Sequence, residues 1–210
     1  MKLTVFGATG KVGTHVVRQA LERGDRVTAV VRDPARLDVR HERLDVVVAD
    51  LTDPAPLLPA LAGSRAALSA VGPRSRRDAG VATAATATIL AALAASGVRQ
   101  FVAVSAAPVG PVAPGEGFVV RAVALPILRR VFRAVYADLA RMEAEIRDSG
   151  LDWTIVRPPK LTNGPLTGRY RVAPENVTRS LTISRADVAD AMLSALDDAD
   201  RVHRAIGVAD

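Results

Sequence analysis

The 210-residue sequence predicts an α/β fold with one doubly wound, mostly parallel sheet and helices on both of its faces. Three observations predict it. Short apolar runs alternate with segments of helical periodicity, which is the arrangement of parallel strands joined by crossover helices. A glycine-rich turn joins the first apolar run to the first helical segment. The hydrophobic share of 49% is enough for a single domain, residues 1–210, with an ample core.

Each predicted element rests on one of these patterns. The strands are short apolar runs, and we predict them at Lys2–Phe6, Arg26–Val31, Leu44–Val48, Ala66–Ala70, Gln100–Val104 and Trp153–Val156. The helices carry apolar residues at helical spacing, and we predict them at Lys11–Arg23, Pro54–Leu61, Ala79–Ser96, Tyr136–Ser149 and Arg185–Leu196. Right-handed crossovers then predict the strand order three-two-one-four-five-six. Residues 158–182 are left as a small C-terminal substrate-side region.

The turn after the first strand is the most informative stretch of the chain. It reads Gly7-Ala8-Thr9-Gly10-Lys11-Val12-Gly13, with glycines at three-residue spacing. Unpaired N–H groups and the positive end of the helix dipole make such a turn an anion site. Gly7 allows the sharp turn, Gly10 the close approach of a diphosphate, and Gly13 tight packing of helix on strand. We therefore predict a Rossmann-type, dinucleotide-binding fold whose cofactor contacts Gly7 and Thr9–Gly13; the alternative is a purely structural turn.

The end of the second strand selects between the two nicotinamide dinucleotides. In a fold of this type the adenosine ribose lies there, about 20 residues past the glycine turn. An acidic residue accepts hydrogen bonds from the free 2′-hydroxyl of NAD, whereas an arginine suits the 2′-phosphate of NADP. Arg32 therefore favours NADP. NAD is the alternative, since Asp33 follows, although Asp33-Pro34 is also a good turn and helix-start pair.

The carboxyl ends of the other strands supply further candidates, because ligands bind outside these ends in an open parallel sheet. After the third strand, Asp50-Leu51 offers a carboxylate for the adenine amino group, with a helix N-cap as the alternative role of this segment. After the fourth, Val71-Gly72-Pro73-Arg74 offers a glycine against which the cofactor lies and an arginine for a phosphate. Ser105 follows the fifth strand, and Pro158 and Lys160 follow the sixth.

Composition narrows the function classes. An anionic cofactor accounts for part of the net charge of +6, and no nucleic-acid-binding motif appears, so we expect a small-molecule substrate and no nucleic acid. Cysteine is absent, which excludes disulfides, thiolate catalysis and cysteine-ligated metals. Three well-separated histidines give no metal-ligand spacing. Basic residues interrupt the N-terminal apolar stretch, so we expect no stable membrane insertion. The cytoplasm is the default compartment, and we expect a monomer or homodimer.

Several stretches carry a resemblance that spans nearly the whole chain. Besides the glycine turn they are Val31-Arg32-Asp33, Asp50-Leu51, Gly72-Pro73-Arg74, Ser105-Ala106, residues 150–159 and residues 164–170. They resemble the atypical, extended-type relatives of the short-chain dehydrogenase/reductases. More narrowly, they are similar to the NAD(P)H-binding (NmrA-like) proteins of the flavin reductase and biliverdin-IXβ reductase group. The resemblance implies a Rossmann fold and a bound NAD(P)H, and it says less about the substrate.

The resemblance also implies roles for individual residues. The serine after the fifth strand lies by the nicotinamide in such reductases, which places Ser105 there. A histidine often follows the Pro-Pro after the sixth strand, and here Lys160 stands at that position. The Tyr-x-x-x-Lys pair of ordinary short-chain dehydrogenases is reduced to Tyr136, with Ala140 in place of the lysine. No lysine then lowers the phenol pKa, which counts against alcohol dehydrogenation and epimerisation.

The segment Phe118–Val135 mixes apolar residues with arginines, is interrupted by Pro126, and follows a Pro/Gly-rich loop that begins at residue 108. Three interpretations compete: a lid over the substrate cleft, which we favour, an oligomer contact, and a membrane-surface helix. In the lid interpretation the apolar face closes on the substrate rings. The arginines then face water or anionic groups of the substrate.

Together these observations favour an NADP(H)-dependent reductase that passes hydride to a stacked planar acceptor such as a flavin or quinone. Ser105 orients the nicotinamide amide or the acceptor, Tyr136 or Lys160 binds the substrate, and solvent supplies the proton. The alternative is a non-catalytic NADP(H) sensor of the same fold that signals through a partner. A third interpretation is an assembly or membrane-surface factor built on this fold.

Overall fold

The computed structural model describes residues 1–73, 75, 78–179 and 181–210. In these residues one sheet is built from eight strands: β1 (Lys2–Phe6), β2 (Arg26–Val31), β3 (Leu44–Val48), β4 (Ala66–Ser69), β5 (Gln100–Val104), β6 (Asp152–Arg157), β8 (Arg171–Pro174) and β10 (Arg204–Ala209). Their order across the sheet is β3-β2-β1-β4-β5-β6-β10-β8. Neighbouring strands run parallel except β8, which pairs antiparallel with β10. A separate parallel pair joins β7 (Lys160–Thr162) to β9 (Thr182–Ser184).

The predicted order three-two-one-four-five-six is confirmed, and with it the doubly wound fold. The chain passes from β1 to β2 and β3 on one side, and then returns to place β4 on the other side of β1. At this reversal the connections after β1 and β4 leave in opposite directions, which opens a crevice at the carboxyl ends of these strands.

Helices cover both faces of the sheet, as predicted. On one face α1 (Lys11–Glu22) packs against α6 (Arg185–Ser194), and on the other α2 (Leu58–Leu61), α3 (Val81–Ser96) and α5 (Arg133–Asp148) cover a second core. The core under α1 and α6 consists of aliphatic side chains and Met192, and the second core adds Phe6, Phe101 and Trp153 to its aliphatic side chains. A short helix, α4 (Leu125–Val131), precedes α5.

The predicted elements are wrong in a few places. The helix predicted at Pro54–Leu61 is instead a 3-10 turn, Ala55–Leu57, followed by the single turn α2. The Asp53 carboxylate accepts a hydrogen bond from the Ala55 N–H (2.9 Å), and the helical turns begin at Ala55 rather than at Pro54. The helix predicted from Tyr136 begins earlier, at Arg133.

Strands β7 to β10 were not among the predicted elements, since they are short or carry residues of low strand propensity. In β10, Gly207 interrupts the apolar run for a packing reason. A Cβ on Gly207 would lie 2.5 Å from the Asn176 Cα, so the crossing backbone leaves room only for glycine.

Residues 118–131 form helical turns whose apolar side chains are exposed. A π-helical turn, Val120–Ala124, leads directly into α4, and Pro126, which has no N–H to donate, lies just after this wider turn. The exposed fractions are 73% for Phe118, 68% for Val119 and 58% for Ile127. No helix in the part of the chain that the structure describes is long and apolar enough to cross a membrane. Whether this segment is a lid, an oligomer contact or a membrane-surface helix stays a prediction.

Candidate functional site

The glycine turn is held against the segment that follows β4. Gly7 has a φ of +72°, and a Cβ there would lie 2.8 Å from the Ala70 carbonyl carbon and 2.9 Å from the Val71 nitrogen. Gly13 packs on the same turn, where a Cβ would lie 2.1 Å from the Gly7 oxygen. A Cβ on Gly10 would lie 3.1 Å from that oxygen, a smaller conflict. The fold itself therefore requires glycine at Gly7 and Gly13, and the structure brings the turn and the end of β4 together.

The N-terminus of α1 is open to an anion. Gly10 is the N-cap and supplies no side-chain hydrogen bond, and the first turn contains no acidic residue. The first N–H groups of a helix have no acceptor within it, so here they and the helix dipole converge on one spot. The Thr14 hydroxyl donates to the Ala8 oxygen (3.0 Å) and the Gly10 oxygen (2.9 Å), which fixes the turn. This bare cradle at an uncapped helix N-terminus fits the diphosphate of NAD(P)H.

The other residues of the turn differ in exposure. Thr9 is partly exposed and Lys11 is exposed, whereas Val12 is 8% exposed and belongs to the core under α1. Val12 can therefore meet a ligand only through its backbone.

Arg32 directly follows β2 and has an exposed side chain, next to Asp33. The Asp33 carboxylate accepts a hydrogen bond from the Ala35 N–H (3.0 Å) and caps the 3-10 turn Pro34–Arg36. Asp33 thus has the turn role that its sequence context indicates. Arg32 is left as the charged group at the end of this strand.

Asp50 follows β3, the neighbour of β2. The Thr52 hydroxyl and N–H both donate to Asp50 Oδ1, and together with the nearby Arg32 charge they hold the pKa of the Asp50 carboxyl below its usual value. One oxygen of Asp50 is therefore committed to a local turn, and contact with the adenine stays a prediction. Leu51 is partly buried against the core under α3 and α5.

Gly72 is exposed just past β4, between Val71 and Pro73. A Cβ added to Gly72 would meet no heavy atom within 4 Å, and its φ lies outside the left-handed region. The protein itself therefore does not require glycine here, as expected where a cofactor lies against the backbone. Arg74, predicted to reach a phosphate, lies outside the described residues.

The loops after β5 and β6 run side by side. The Ser105 N–H donates to the Val156 oxygen (2.8 Å), and the Ala107 N–H donates to the Pro158 oxygen (2.8 Å). This pairing brings together Ser105, predicted to lie by the nicotinamide, and Pro158, predicted to contact the cofactor. Ser105 is only 9% exposed, and its hydroxyl oxygen has no partner in good hydrogen-bond geometry among the described residues.

Behind Ser105 a buried ion pair joins α5 to β6. The Glu143 and Arg157 side chains are 1% and 3% exposed, and Arg157 donates to both carboxylate oxygens, with 2.9 Å between Nε and Oε1. Arg147 also donates to Glu143 (2.8 Å), and Arg157 reaches the half-exposed Glu175. Burial acts to raise the pKa of Glu143, but the Arg157 bonds, the nearby Ser105 hydroxyl and Arg147 outweigh it and hold that pKa below its usual value. Ser105 therefore lies beside a fixed negative charge.

Tyr136 stands in the first turn of α5, and Lys160 begins β7. Burial raises the pKa of the Tyr136 phenol, and its ring packs 5.9 Å from that of Phe132. A tyrosine that acts as a catalytic acid needs a lowered phenol pKa, so the raised pKa of Tyr136 counts against that role. Tyr136 lies two helical turns from Glu143, about 10 Å along the axis. No hydrogen bond joins it to Ser105 in the described structure. The Lys160 side chain is exposed.

An open groove extends from the loop after β5 to α4. Its inner part, of about 530 Å³, is lined by Pro108, Val109, Gly110, Pro111, Arg129, Arg133, Tyr136, Ala137 and Ala140. Its outer part, of about 760 Å³, is lined by Pro126, Ile127, Arg129, Arg130 and Arg133. Arg129 donates to the Pro108 oxygen (2.9 Å) and the Gly110 oxygen (2.7 Å), which holds α4 against the loop. We call the two parts together the arginine groove.

A family model for NAD(P)H-binding proteins matches residues 7–199. The chain belongs to the NAD(P)H-binding family. The match covers the glycine turn and every strand end described above, and it confirms the kinship with atypical short-chain dehydrogenase/reductases that the sequence motifs indicate.

Two relatives of this NAD(P)H-binding chain match almost all of it. An uncharacterised chloroplastic protein of Arabidopsis thaliana is 33% identical over 206 residues, 93% of this chain and 71% of the relative. The (4-alkanoyl-5-oxo-2,5-dihydrofuran-3-yl)methyl phosphate reductase of Streptomyces griseus is 30% identical over 213 residues, 98% of this chain and 67% of the relative. A solved structure from Streptococcus pneumoniae, provisionally designated an NADH-flavin reductase, has a TM-score of 0.81 at 24% identity and covers 100% of this chain and 99% of its own. That structure shows the shared fold.

The sequence motifs do not reveal the Glu143–Arg157 ion pair. A signal for it exists, since Glu143 follows Met142 and precedes Ile146 by three residues, within the buried stripe of α5. A charged residue in such a stripe is rarely buried without a partner.

Within the described residues no three His, Asp or Glu side chains gather closely enough to hold a metal ion.

Two other helices that begin at the carboxyl edge of the sheet have carboxylates at their N-termini. Asp138 of α5 accepts hydrogen bonds from the Ala82 and Thr83 N–H groups (both 3.1 Å), which start α3. In the first turn of α6, Asp187 accepts from the N–H groups of Thr167 (2.8 Å) and Gly168 (2.9 Å). Burial acts to raise the pKa of both carboxyls, but their hydrogen bonds outweigh it. The bonds from Thr83 and Ala82 lower the pKa of Asp138, and those from Ser184, Thr167 and Gly168 lower the pKa of Asp187. Asp138 thereby fastens α5 to α3.

Proposed function

We propose that this NAD(P)H-binding protein is an NADP(H)-dependent reductase that passes hydride to a planar acceptor such as a flavin or quinone. The observation that carries the proposal is the buried Ser105 hydroxyl, which lies beside Glu143 where the loops after β5 and β6 meet and has no partner in good hydrogen-bond geometry among the described residues. Buried polar atoms are almost always satisfied. The nicotinamide amide or an acceptor oxygen would supply the missing partner.

The preference for NADP(H) over NAD(H) rests on Arg32. Its side chain is exposed at the end of β2, while Asp33 is engaged in capping the following turn. A guanidinium binds a phosphate through paired, charge-assisted hydrogen bonds, and the 2′-phosphate is the group that distinguishes NADP. Asp33 is thereby less available to accept a bond from the 2′-hydroxyl of NAD.

The chain's own contribution to the reaction is positioning rather than proton transfer. Bound NADPH would supply a hydride, which carries two electrons, and the acceptor would take one proton from solvent to complete its reduction. Tyr136, with its raised pKa, stays protonated at neutral pH and acts as a hydrogen-bond donor to the acceptor. Lys160 provides an exposed positive charge two residues past Pro158. The name of the Streptomyces griseus relative, a reductase, supports a reductase function for this chain.

The alternative function is a non-catalytic NADP(H) sensor. Two observations favour it: the raised pKa of Tyr136 without a neighbouring lysine, and the exposed apolar and basic surface of residues 118–131, which suits a protein partner. The expected compartment is the cytoplasm, although the name of the Arabidopsis relative places that protein in the chloroplast.

The test is oxidation of NADPH followed at steady state with FMN, riboflavin and menadione as acceptors. We expect turnover with at least one of them, and we expect Tyr136→Phe to retain the rate within about tenfold, since no activated acid is lost. Tyr170→Phe is the matched control, because Tyr170 is the other of the chain's two tyrosines, donates its hydroxyl to Asp190 of α6 and packs on the opposite core from Tyr136. A loss of several orders of magnitude in Tyr136→Phe alone would assign the protein to the Tyr-dependent dehydrogenases. Tight NADPH binding without turnover on any acceptor would favour the sensor.

A further inference from the structure

The Phe118–Val135 segment carries positive charge without acidic residues of its own. Between Gly117 and Ala137 the sequence contains four arginines and no Asp, Glu or Lys. The acidic residues that flank this stretch are engaged elsewhere. Glu116 accepts a hydrogen bond from the Arg179 N–H (3.0 Å), and Asp138 is buried against the start of α3. The charge of the stretch is therefore not neutralised by its neighbours in sequence.

Three of the four arginines line the arginine groove, namely Arg129, Arg130 and Arg133. No carboxylate is among the described residues that line it. Arg129 donates its hydrogen bonds to the Pro108 and Gly110 carbonyl oxygens and forms the wall of the groove. Arg130 and Arg133 are exposed. Arg130 of α4 and Arg133 of α5 both line the groove, so their like charges repel each other, and a bound anion relieves that repulsion.

The groove lies at the same edge of the sheet as the cofactor site. Helix α5 runs antiparallel to β6, because a parallel crossover must return the chain to the amino edge. The first turn of α5, with Arg133 and Tyr136, is therefore at the carboxyl edge, where Ser105 also lies. The inner wall of the groove begins at Pro108, three residues past Ser105. The groove and a ligand ring near Ser105 would therefore lie at the same edge of the sheet, joined by the loop after β5.

We infer that the arginine groove binds an anionic substituent, a phosphate or carboxylate, carried by the hydride acceptor. The inference rests on the proposed function, and it narrows the substrate class to planar acceptors with an acidic tail. Arg130 and Arg133 hold the anion through charge-assisted hydrogen bonds, and Arg129 keeps the wall of the groove in place. The ring of the acceptor is then free to stack beside Ser105.

FMN and riboflavin test this inference, since they share one ring system and differ in a terminal phosphate. Binding to the full chain is measured without NADPH by quenching of flavin fluorescence. We expect FMN to bind about tenfold more tightly than riboflavin, equivalent to about 1.4 kcal/mol, and the preference to shrink as salt is added. Arg130→Gln/Arg133→Gln should bring the two affinities within about twofold. Arg121→Gln, a control on the same segment but outside the groove, should retain the preference.

Each contrary result has a distinct meaning. Equal binding of the two flavins by the wild type, no binding of either, or an equal loss of preference in Arg121→Gln would overturn the inference. So would binding to phosphatidylglycerol vesicles that needs Arg130 and Arg133 without any FMN preference, because the arginines would then face a membrane surface. If FMN is preferred through these arginines but neither flavin accepts hydride, the proposed reductase function fails and the anion site stands. If both flavins are reduced with the same KM, the reductase stands and the anion site fails.

Discussion

Replacing Glu143 by glutamine preserves the shape of the side chain and removes its charge beside Arg157. The pair is almost completely buried, at 1% and 3% exposed, and the carboxylate accepts three hydrogen bonds from two arginines. In Glu143→Gln the one carboxylate left to the buried guanidinium among the described residues would be that of Glu175, which is 50% exposed. Removing one partner of a buried pair costs about 3–5 kcal/mol, and the lower end applies because the amide oxygen still accepts one bond. For a chain of this size, 3 kcal/mol lowers Tm by roughly 6–12 °C.

Glu175→Gln is the matched control, because it makes the same chemical change at the same arginine. Its carboxylate is half-exposed, so solvent screens the interaction and we expect a loss below about 1 kcal/mol. The free energy of unfolding is measured by urea denaturation, with the fluorescence of Trp153, the single tryptophan and 8% exposed, as the probe. Equal losses in the two variants would refute the assignment of Glu143 and Arg157 as a desolvated pair.

The same pair predicts a pH dependence. The pKa of Glu143 is lower in the folded chain than in the unfolded one, where it is about 4.3. The stability that the carboxylate contributes is therefore fully present above that unfolded value and is lost as the pH falls through the folded pKa. The difference in unfolding free energy between wild type and Glu143→Gln should be constant from pH 8 to about pH 6 and should narrow below about pH 4. A difference that stays constant through the acid range would contradict the pKa shift.

Two further predictions concern the cofactor. Arg32→Ala should weaken NADP binding by about tenfold or more and leave NAD binding nearly unchanged, as measured by calorimetric titration; equal wild-type affinities for the two cofactors would remove the role of Arg32. Gly72→Ala should unfold at nearly the wild-type temperature, since the added methyl group meets open space, but should lose most of the stabilisation by NADP. At a hundred times Kd that stabilisation is about 2.7 kcal/mol, or roughly 5–11 °C. Gly117→Ala, also in open space, is the control, and an unchanged NADP shift in Gly72→Ala would place the cofactor elsewhere.

The sequence predicts the central strands well because their signals are local. Strands β1, β2, β3 and β5 begin and end at the predicted residues, since each is an apolar run bounded by turn residues. The C-terminal strands depend on pairing partners far away in the chain. β10 is recognisable only once β6 lies beside it, and Gly207 belongs in it only because Asn176 crosses there.

The candidate site likewise has some residues that a local motif predicts and others that only tertiary contacts reveal. Gly7 and Gly13 follow from a motif, and the structure supplies the contacts that require them. The arginines of α4 and α5 could be counted in the sequence, but not placed beside the loop after β5, because that contact depends on Arg129 bonding to Pro108 and Gly110. The neighbourhood of Ser105 was hidden for a related reason. Glu143 and Arg157 lie on different elements, 14 residues apart, and only packing of α5 on β6 joins them.

Asp138 and Asp187 have a consequence for where an anion can bind. Every helix that starts at the carboxyl edge of the sheet offers a phosphate the same partial positive charge. At α3 that charge is already met by Asp138, and at α6 Asp187 stands in the first turn, so an incoming phosphate would have to compete with a carboxylate that never dissociates. α1 has neither a side-chain cap nor an acidic first turn. Of α1, α3 and α6, only α1 therefore meets an incoming phosphate without a carboxylate in the way, so the protein's own acidic side chains disfavour a dinucleotide at α3 and α6 and favour the glycine turn.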